Sequence, residues 1–259
     1  CYTIETACSA ALCAGHLGMS AIRADECGRS LISGVNSIVM HYASLAFAIA
    51  TMTSPTGACH TWDANGDGFL RAEYCGAAVL DSHTKNRGCV LEGTSSKQDG
   101  KSASLTAPSG VAQKALLLKA ADDASERNAP NDYVVVEAHG TGTALGDPIE
   151  VSAINGALLK ERNTSAPMSL GSLKANAGHC EPGAGMAGLV KLGLTLHEAV
   201  TGANIQLRQL NPQVSSSIDK KKCVIETQLS NMKTTKKGKL GGVNSFGYSG
   251  IIAHAVLRC

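Results

Sequence analysis

The sequence of 259 residues is poor in aromatic residues and in charge. Phe, Tyr and Trp make up 3% of it, and charged residues make up 17%, compared with about a quarter in an average protein. The formal net charge is +2. Nucleic-acid-binding surfaces carry a basic excess and, for single strands, aromatic stacking platforms, so the composition predicts no nucleic-acid partner. The hydrophobic fraction of 44% also excludes disorder of the whole chain.

Closely spaced cysteine pairs and long apolar runs are missing as well. None of the ten cysteines has C-x-x-C spacing, so zinc-binding and thioredoxin-like motifs have no support. We expect most of the cysteines to be reduced, small, buried residues. The most apolar stretch, residues 38–52, is too short to cross a bilayer and predicts a buried helix, hence no membrane span. The first residues do not resemble a signal peptide.

Strand and helix patterns alternate along most of the chain, which is typical of an α/β fold with a largely buried sheet. Apolar runs predict strands at 30–35, 75–81, 89–94, 132–138, 168–173, 223–227, 240–246 and 251–257. Longer patterns predict helices at 10–24, 44–52, 111–124, 149–160 and 185–200. A turn is predicted at 86–88 and a polar loop at 95–108.

Cys8 lies in the segment E-T-A-C-S-A-A-L, where the first helical pattern begins. In the first turn of a helix, free N–H groups and the helix dipole favour a thiolate, so we expect a lowered pKa and a nucleophile. Taken alone, a cysteine among alanines is more often a core residue, and both interpretations stay open on this segment.

His139 follows a predicted strand in the segment E-A-H-G-T-G-T, residues 137–143. The carboxyl ends of strands are where α/β sheets hold ligands, and the two glycines let the backbone approach a substrate closely. The Gly140–Gly142 pair lacks the Lys-Ser/Thr of a P-loop and the third glycine of a dinucleotide motif. The segment therefore predicts a functional histidine without a nucleotide site.

His179 also lies between a predicted strand and a predicted helix, in G-S-L-K-A-N-A-G-H-C-E, residues 171–181. Lys174, Asn176 and Glu181 make this turn unusually polar. A solvated turn explains any two of these residues, but the full set with His179 favours a functional site.

The segment D-A-N-G-D-G, residues 63–68, imitates the start of a calcium loop. The twelfth position is Tyr74 rather than an acid, so no calcium site is predicted. We expect a turn network of Asp63, Asp67, Arg71 and Glu73 near the site instead.

Taken in order, these motifs resemble the β-ketoacyl synthases, and most closely the ketosynthase domains of type I polyketide synthases. That family shows D-T-A-C-S-S-S-L around its nucleophile, and residues 5–12 are similar. Its E-A-H-G-T-G-T-x-x-G-D-P-I-E and G-S-x-K-x-N-x-G-H-x-E motifs are found at 137–150 and 171–181, and its N-x-F-G turn at 244–247. The resemblance covers nearly the whole chain.

The resemblance implies a thiolase-like α-β-α-β-α layered fold that is incomplete at the N-terminus. Only seven residues precede Cys8, where the family has a long strand–helix half. Residues 1–86 are then the end of the N-terminal half, which carries the nucleophile. Residues 87–259 are the C-terminal half, which carries both histidines. We expect exposed apolar surface where the remaining strands and helices of the family pack.

The resemblance also implies the chemistry, a decarboxylative Claisen condensation. Cys8 holds an acyl chain, and a malonyl-type thioester loses CO2 while His139 and His179 donate hydrogen bonds to the enolate. The acyl-Cys oxyanion is bound by the N–H of Cys8 and a backbone N–H near Phe246. The other implied site residues support this triad or gate the cavity: Lys174, Asn176, Glu181, Thr141, Thr143, Phe246 and Gly247.

No bound cofactor and no metal are implied, because the substrates arrive on the phosphopantetheine arm of an acyl carrier protein. Implied partners are that carrier, other polyketide synthase domains and a second copy in a homodimer. The location is cytoplasmic, or an organelle such as a plastid if a transit peptide preceded the sequence. The product is a polyketide or a fatty acid. The alternative is a ketosynthase-like fragment, decarboxylase or non-elongating partner protein; a thiolase-type acyltransferase is a weaker alternative.

Overall fold

The computed structural model describes residues 1–83, 88–100, 107–124, 130–163, 166–232 and 238–259. The helices are α1 Ala10–Arg23, α2 His41–Ile49, α3 Gly110–Ala124, α4 Gly146–Ile154, α5 Lys174–Ala177, α6 Ala184–Glu198 and α7 Pro212–Ser217. The strands are β1 Arg29–Asn36, β2 Tyr74–Asp81, β3 Val90–Gln98, β4 Tyr133–Glu137, β5 Met168–Gly171, β6 Val200–Thr201, β7 Cys223–Ile225, β8 Ser230–Asn231, β9 Leu240–Phe246 and β10 Ile251–Arg258. A π-helical turn, Asn155–Leu159, extends α4, and 3-10 turns lie at Pro130–Asp132 and Glu181–Gly183.

The main sheet has six strands in the order β3-β10-β9-β4-β5-β7. The pairs of β10 with β3 and β9 are antiparallel, and β9, β4, β5 and β7 pair in parallel. Every residue of β4 and β9 is buried. Complete burial is expected for strands covered on both faces, which agrees with the α/β fold predicted from the sequence.

The two faces of the sheet are covered by different helices. Val136 packs in a cluster with Leu117 of α3 and Val151 of α4. The next residue back, Val135, packs in a second cluster with Leu12 of α1 and Leu192 of α6. Successive side chains of a strand point to opposite faces, so Val135 and Val136 pack in different cores. The sheet therefore sits between two helical layers.

A smaller antiparallel sheet is formed by β1 and β2. Ile32 of β1 is buried, whereas Leu31 and Val35 are exposed. The prediction of a buried strand at 30–35 is therefore wrong for one face, because only the face toward α1 and α6 is covered within this chain. The prediction of a buried helix within 38–52 is also wrong, since no residue of α2 is buried.

The other predicted elements agree with the structure to within a few residues, with exceptions at loops. The helix predicted at 149–160 begins at Gly146 and continues into the π-helical turn. The loop predicted at 95–108 is wrong at its start, because β3 continues to Gln98 in register with β10. The predicted turn at 86–88 lies largely outside the described residues. The short elements α5, α7, β6 and β8 were not predicted.

The cysteines divide into one pair and eight free residues. Five of the free ones are buried, which agrees with their expected role as small core residues. Cys89 and Cys259 form a disulfide across 170 residues of sequence, which the sequence pattern did not predict. Within the described ranges, every helix is too short or too polar to cross a membrane.

Asp63, in the loop before β2, forms hydrogen bonds with the distant segment 208–209. Its carboxylate accepts hydrogen bonds from the backbone N–H groups of Asn65, Arg208 and Gln209 at 2.6–2.9 Å. Arg71 forms an ion pair with Glu181. Glu73 instead accepts a hydrogen bond from the N–H of Ile38. The single turn network predicted from the sequence is therefore replaced by separate contacts. No group of three or more metal-ligating side chains is found in the part of the chain that the structure describes.

Replacing Asp63 with Asn is expected to destabilise the protein in a pH-dependent way. Burial raises the pKa of Asp63, but the N–H groups of Gln209, Asn65 and Arg208 outweigh it and hold the pKa below its ordinary value. Such a carboxyl stabilises the fold above its unfolded pKa, and the contribution is lost as pH falls through the folded pKa. Asp63→Asn should cost about 1–3 kcal/mol at neutral pH. Urea unfolding across the acid range measures this, and a pH-independent difference contradicts it.

Candidate active site

Cys8 lies in a sharp turn directly before α1. Ala7 has a left-handed φ of 53°, which is costly for a residue with a side chain. The Ser9 hydroxyl donates to the Thr6 carbonyl at 2.9 Å, and the Ser245 hydroxyl donates to the Cys8 carbonyl at 2.6 Å. The turn is therefore fixed against β9. Because α1 begins at Ala10, Cys8 precedes the helix instead of lying in its first turn.

His139 lies at the carboxyl end of β4, as expected from the sequence. The N–H groups of His139 and Gly140 donate to the two oxygens of Glu150 at 2.7 and 2.8 Å. Gly142 has a φ of 79°, and a Cβ there would lie 2.8 Å from the backbone nitrogen of His60. The glycine is required by this close approach. One buried carboxylate thus holds the backbone of the histidine loop.

The ring of His139 is a hydrogen-bond donor at Nε2. Its Nδ1 accepts from the N–H of Phe246 at 3.3 Å, which places the proton of the neutral ring on Nε2. Burial and the Lys174 ammonium hold the pKa of His139 well below its ordinary value. The ring therefore stays neutral at physiological pH, and the tautomer is set by a backbone group.

His179 contacts the Cys8 thiol directly. Its Nε2 lies 3.0 Å from Sγ of Cys8. Its backbone is held by the Leu70 carbonyl and the Ala72 N–H, at 2.7 and 2.9 Å. Burial and the Lys174 ammonium also hold the pKa of His179 well below its ordinary value. Among the described residues, Nδ1 of this ring has no hydrogen-bond partner. The Cys8 thiol at Nε2 is therefore the contact that determines which ring nitrogen carries the proton.

The expected lowering of the Cys8 pKa is wrong. Burial raises the pKa of the thiol to about 11, against smaller lowering effects of the Lys174 ammonium and of the N–H groups of Tyr248 and Cys8 itself. The Glu181 carboxylate adds to the rise. The resting residue is a thiol, and its reactivity depends on proton transfer to Nε2 of His179.

Lys174 and Glu181 support the site in different ways. The buried Lys174 ammonium is near enough to lower the pKa of the site cysteines and histidines. Glu181 is ion-paired with Arg71, whose guanidinium also donates to Ser44 at 2.6 Å. The structure does not bring Asn176 into the cavity. That side chain is exposed and donates to the Ala203 carbonyl at 2.9 Å.

The three predicted catalytic side chains share a cavity of about 560 Å³. Thr141, Thr143 and Phe246 line it too, with the hydroxyl oxygens of the threonines 3.3 Å apart. The rings of His139 and His179 meet edge to face with centroids 5.5 Å apart, and those of His139 and Phe246 lie at the same separation. The arrangement can bind one carbonyl group between a nucleophile and two imidazoles.

Backbone donors at the thiol come from Cys8 itself and from the turn that follows Phe246. The N–H of Phe246 is bonded to His139, and that of Gly247 is bonded to the Ile251 carbonyl at 2.8 Å. A Cβ at Gly247 would overlap the Thr6 carbonyl oxygen, which explains the glycine. The N–H of Tyr248, two residues after Phe246, is near enough to the Cys8 thiol to lower its pKa. The prediction of a backbone donor near Phe246 did not single out this residue.

The family comparison follows this geometry. Residues 1–86 match the family model described as "Beta-ketoacyl synthase, N-terminal domain", and residues 88–208 match "Beta-ketoacyl synthase, C-terminal domain". The layered fold, with a thiol beside two histidines, is similar to that of the thiolase-like ketosynthases. The chain belongs to the β-ketoacyl synthase family.

Similar proteins are polyketide synthases and their ketosynthases. The chain is 38% identical to a phenolphthiocerol/phthiocerol polyketide synthase of Mycobacterium tuberculosis, over 98% of this chain and 12% of that protein. It is 37% identical to erythronolide synthase EryA3 of Saccharopolyspora erythraea, over 99% of this chain and 8% of that protein. The chain thus spans only a small part of these relatives.

Solved ketosynthase structures superpose closely. The ketosynthase from module 6 of the bacillaene synthase of Bacillus subtilis 168 matches with a TM-score of 0.90 and 30% identity, over 98% of this chain and 46% of that chain. The oxazolomycin ketosynthase domain of Streptomyces albus JA3453 matches with a TM-score of 0.91 and 29% identity, over 98% of this chain and 45% of that chain. The predicted thiolase-like fold is confirmed.

Replacing His179 with Ala is expected to slow alkylation of Cys8 by iodoacetamide at neutral pH, because the proton acceptor of the buried thiol is removed. General-base assistance of this kind contributes about 100-fold or more. Peptide mass spectrometry measures the rate, with the exposed Cys75 as an internal reference. His139→Ala is the matched control, since His139 makes its ring hydrogen bond to Phe246. Equal alkylation of Cys8 in wild type and His179→Ala contradicts the assignment.

Proposed function

We propose that this chain carries the reaction centre of a β-ketoacyl synthase of polyketide biosynthesis. The enzyme condenses an acyl chain bound to Cys8 with a malonyl-type thioester on an acyl carrier protein. The observation that carries the proposal is the contact of 3.0 Å between Sγ of Cys8 and Nε2 of His179, in a cavity shared with His139. The polyketide synthases similar to the chain favour a polyketide over a fatty acid as the product.

The first step is acyl loading. Sγ of Cys8 attacks the thioester carbonyl carbon, a new S–C bond forms, and the bond to the carrier thiol breaks. Nε2 of His179 takes the thiol proton and passes it to the departing carrier thiolate, so that charge and protons balance. The N–H groups of Cys8 and Tyr248, which both lower the pKa of the thiol, are the donors for the oxyanion.

The second step is decarboxylation of the malonyl thioester. The C–C bond to the carboxylate breaks, CO2 leaves, and the electron pair passes to the thioester as an enolate. His139 is a preformed donor for the enolate oxygen, because the Phe246 N–H fixes its proton on Nε2. Such a donor contributes about 3–4 kcal/mol. His179 is the second donor in the tautomer that has its proton on Nε2; once Cys8 is acylated, Nε2 no longer accepts a thiol proton, and the ring proton moves there from Nδ1, which has no partner among the described residues.

The third step forms the new carbon–carbon bond. The enolate carbon attacks the acyl carbon on Cys8, the S–C bond breaks, and the product is a β-ketoacyl thioester on the carrier. The Cys8 thiolate then recovers a proton. The Lys174 ammonium, which lowers the pKa of Cys8, stabilises this leaving thiolate. Apart from the solvent proton that neutralises the Cys8 thiolate, the three steps use only groups of the substrates and of the chain.

The proposal extends to partners and to domain organisation. The substrates are carried on the phosphopantetheine arm of an acyl carrier protein within a larger polyketide synthase, and the complete domain forms a homodimer. Residues 1–86 end the N-terminal half and residues 87–259 form the C-terminal half; the ranges of the two family models support this division. The location proposed is the cytoplasm or an organelle, which the eight free cysteines favour and the Cys89–Cys259 disulfide does not.

Replacing His139 with Ala is expected to separate loading from condensation. Cys8 and His179 remain, so acyl loading on Cys8 persists, whereas condensation with a malonyl carrier falls by about 100-fold or more. Intact-protein mass measures loading, and labelled CO2 release together with β-ketoacyl product measures condensation. His16→Ala is the control, because that ring contacts Thr94 at 2.8 Å.

The outcomes also separate elongation from decarboxylation alone. Wild-type protein that releases CO2 without forming a β-ketoacyl product contradicts the condensing function. Loss of acyl loading in His139→Ala contradicts the division of roles.

A further inference from the structure

A buried hydrogen-bonded chain leads from the reaction cavity into the sheet. His254 of β10 lies opposite Asn244 of β9, and Nδ1 of the histidine is 2.5 Å from Oδ1 of the amide. Nδ2 of Asn244 lies 2.8 Å from Oε1 of Glu150. The same carboxylate holds the N–H groups of His139 and Gly140. The side chains of His254, Asn244 and Glu150 are each at most 3% exposed.

The direction of each hydrogen bond in this chain is determined. Both oxygens of Glu150 accept backbone N–H groups and Nδ2 of Asn244 donates to Oε1, so the NH2 group of the amide faces the carboxylate. The amide oxygen therefore faces His254, and only an Nδ1–H tautomer can pair with it. Burial lowers the pKa of His254 to about 3, which keeps the ring neutral with its single proton on Nδ1.

The hydrogen bonds that link His254, Asn244 and Glu150 affect both contacts that hold His139, one at its backbone N–H and one at its ring. Glu150 accepts the backbone N–H of His139. Asn244 lies two residues before Phe246 on β9, and the N–H of Phe246 fixes the position of the proton on the His139 ring. A flip of the Asn244 amide turns its oxygen toward the Glu150 carboxylate and disturbs both contacts.

We propose that His254 is a positioning residue for His139: by donating from Nδ1 it locks the Asn244 amide, and through Glu150 and β9 it holds His139 as an Nε2–H donor. The inference rests on the proposed function, in which His139 stabilises the enolate. It assigns a role to a histidine that the reaction steps do not use.

Packing alone does not account for an imidazole at this position. Nε2 of His254 is buried and has no hydrogen-bond partner among the described residues. An unpartnered buried nitrogen disfavours folding compared with an apolar side chain of similar size. The ring also needs a glycine on the neighbouring strand, since a Cβ at Gly242 of β9 would lie 2.6 Å from Cε1 of His254. The useful feature of the residue is its single directed N–H.

His254→Leu and His254→Asn test the proposal in the full-length protein. Leucine fills the space without a donor, whereas the side-chain NH2 of asparagine lies close to the position of Nδ1. We expect His254→Leu to lower condensation by about ten-fold, the effect of one buried hydrogen bond, with acyl loading on Cys8 nearly unchanged. His254→Asn should recover most of the loss. Val256→Ala is the control, because Val256 is a fully buried apolar residue on the same face of β10.

Parallel losses of loading and condensation in His254→Leu, as in a destabilised core variant, overturn the proposal, and so does unchanged condensation. Should His254→Leu fail to fold, 15N NMR of the wild-type histidines decides. A proton on Nδ1 of His254 and on Nε2 of His139 supports the proposal, and a proton on Nε2 of His254 overturns it. If wild-type protein neither loads an acyl group nor condenses it, the proposed function fails instead. The NMR result still tests the hydrogen bonds between His254, Asn244 and Glu150.

Discussion

The contact between the Cys8 thiol and Nε2 of His179 is the interaction on which the rest of the site depends. Burial keeps the thiol protonated and both imidazoles neutral, so Cys8 and His179 do not form a thiolate–imidazolium pair in the resting site. Reactivity must then arise from proton transfer across 3.0 Å during the attack. The neutral ring of His139 also retains its Nε2–H, which the proposed function assigns to the developing enolate. A single condition, burial beside the Lys174 ammonium, therefore suits the site to both acyl transfer and decarboxylation.

Two buried carboxylates give this site its geometry. Glu150 binds the N–H groups of His139 and Gly140, and Asp147 binds those of Trp62 and Gly142 at 2.8 and 3.1 Å. Burial raises the pKa of Asp147 to about 7 despite these donors. The glycine-rich loop after β4 is thus held by side chains from α4, which directly follows it in the chain. Preorganised donors of this kind need no rearrangement when charge develops.

Much of this arrangement could be predicted from the sequence, because it depends on local patterns. The valine run of β4 predicts a buried strand, and the motifs after β4 and β5 place His139 and His179 at strand ends. The pKa of Cys8 could not be predicted, since it depends on burial by distant segments. The exposure of α2, the Cys89–Cys259 pair and the Tyr248 N–H at the thiol are likewise tertiary features.

The central claim is that the thiol and both imidazoles act on one thioester group. A crystal structure of the protein with Cys8 acylated and a non-decarboxylating malonyl thioester analogue in the cavity tests it most directly. The account predicts the thioester oxygen of the analogue about 3 Å from Nε2 of both His139 and His179. It also predicts the nucleophilic carbon of the analogue facing the acyl carbon on Cys8. An oxygen bound by neither histidine, or an acyl group on another cysteine, contradicts the account.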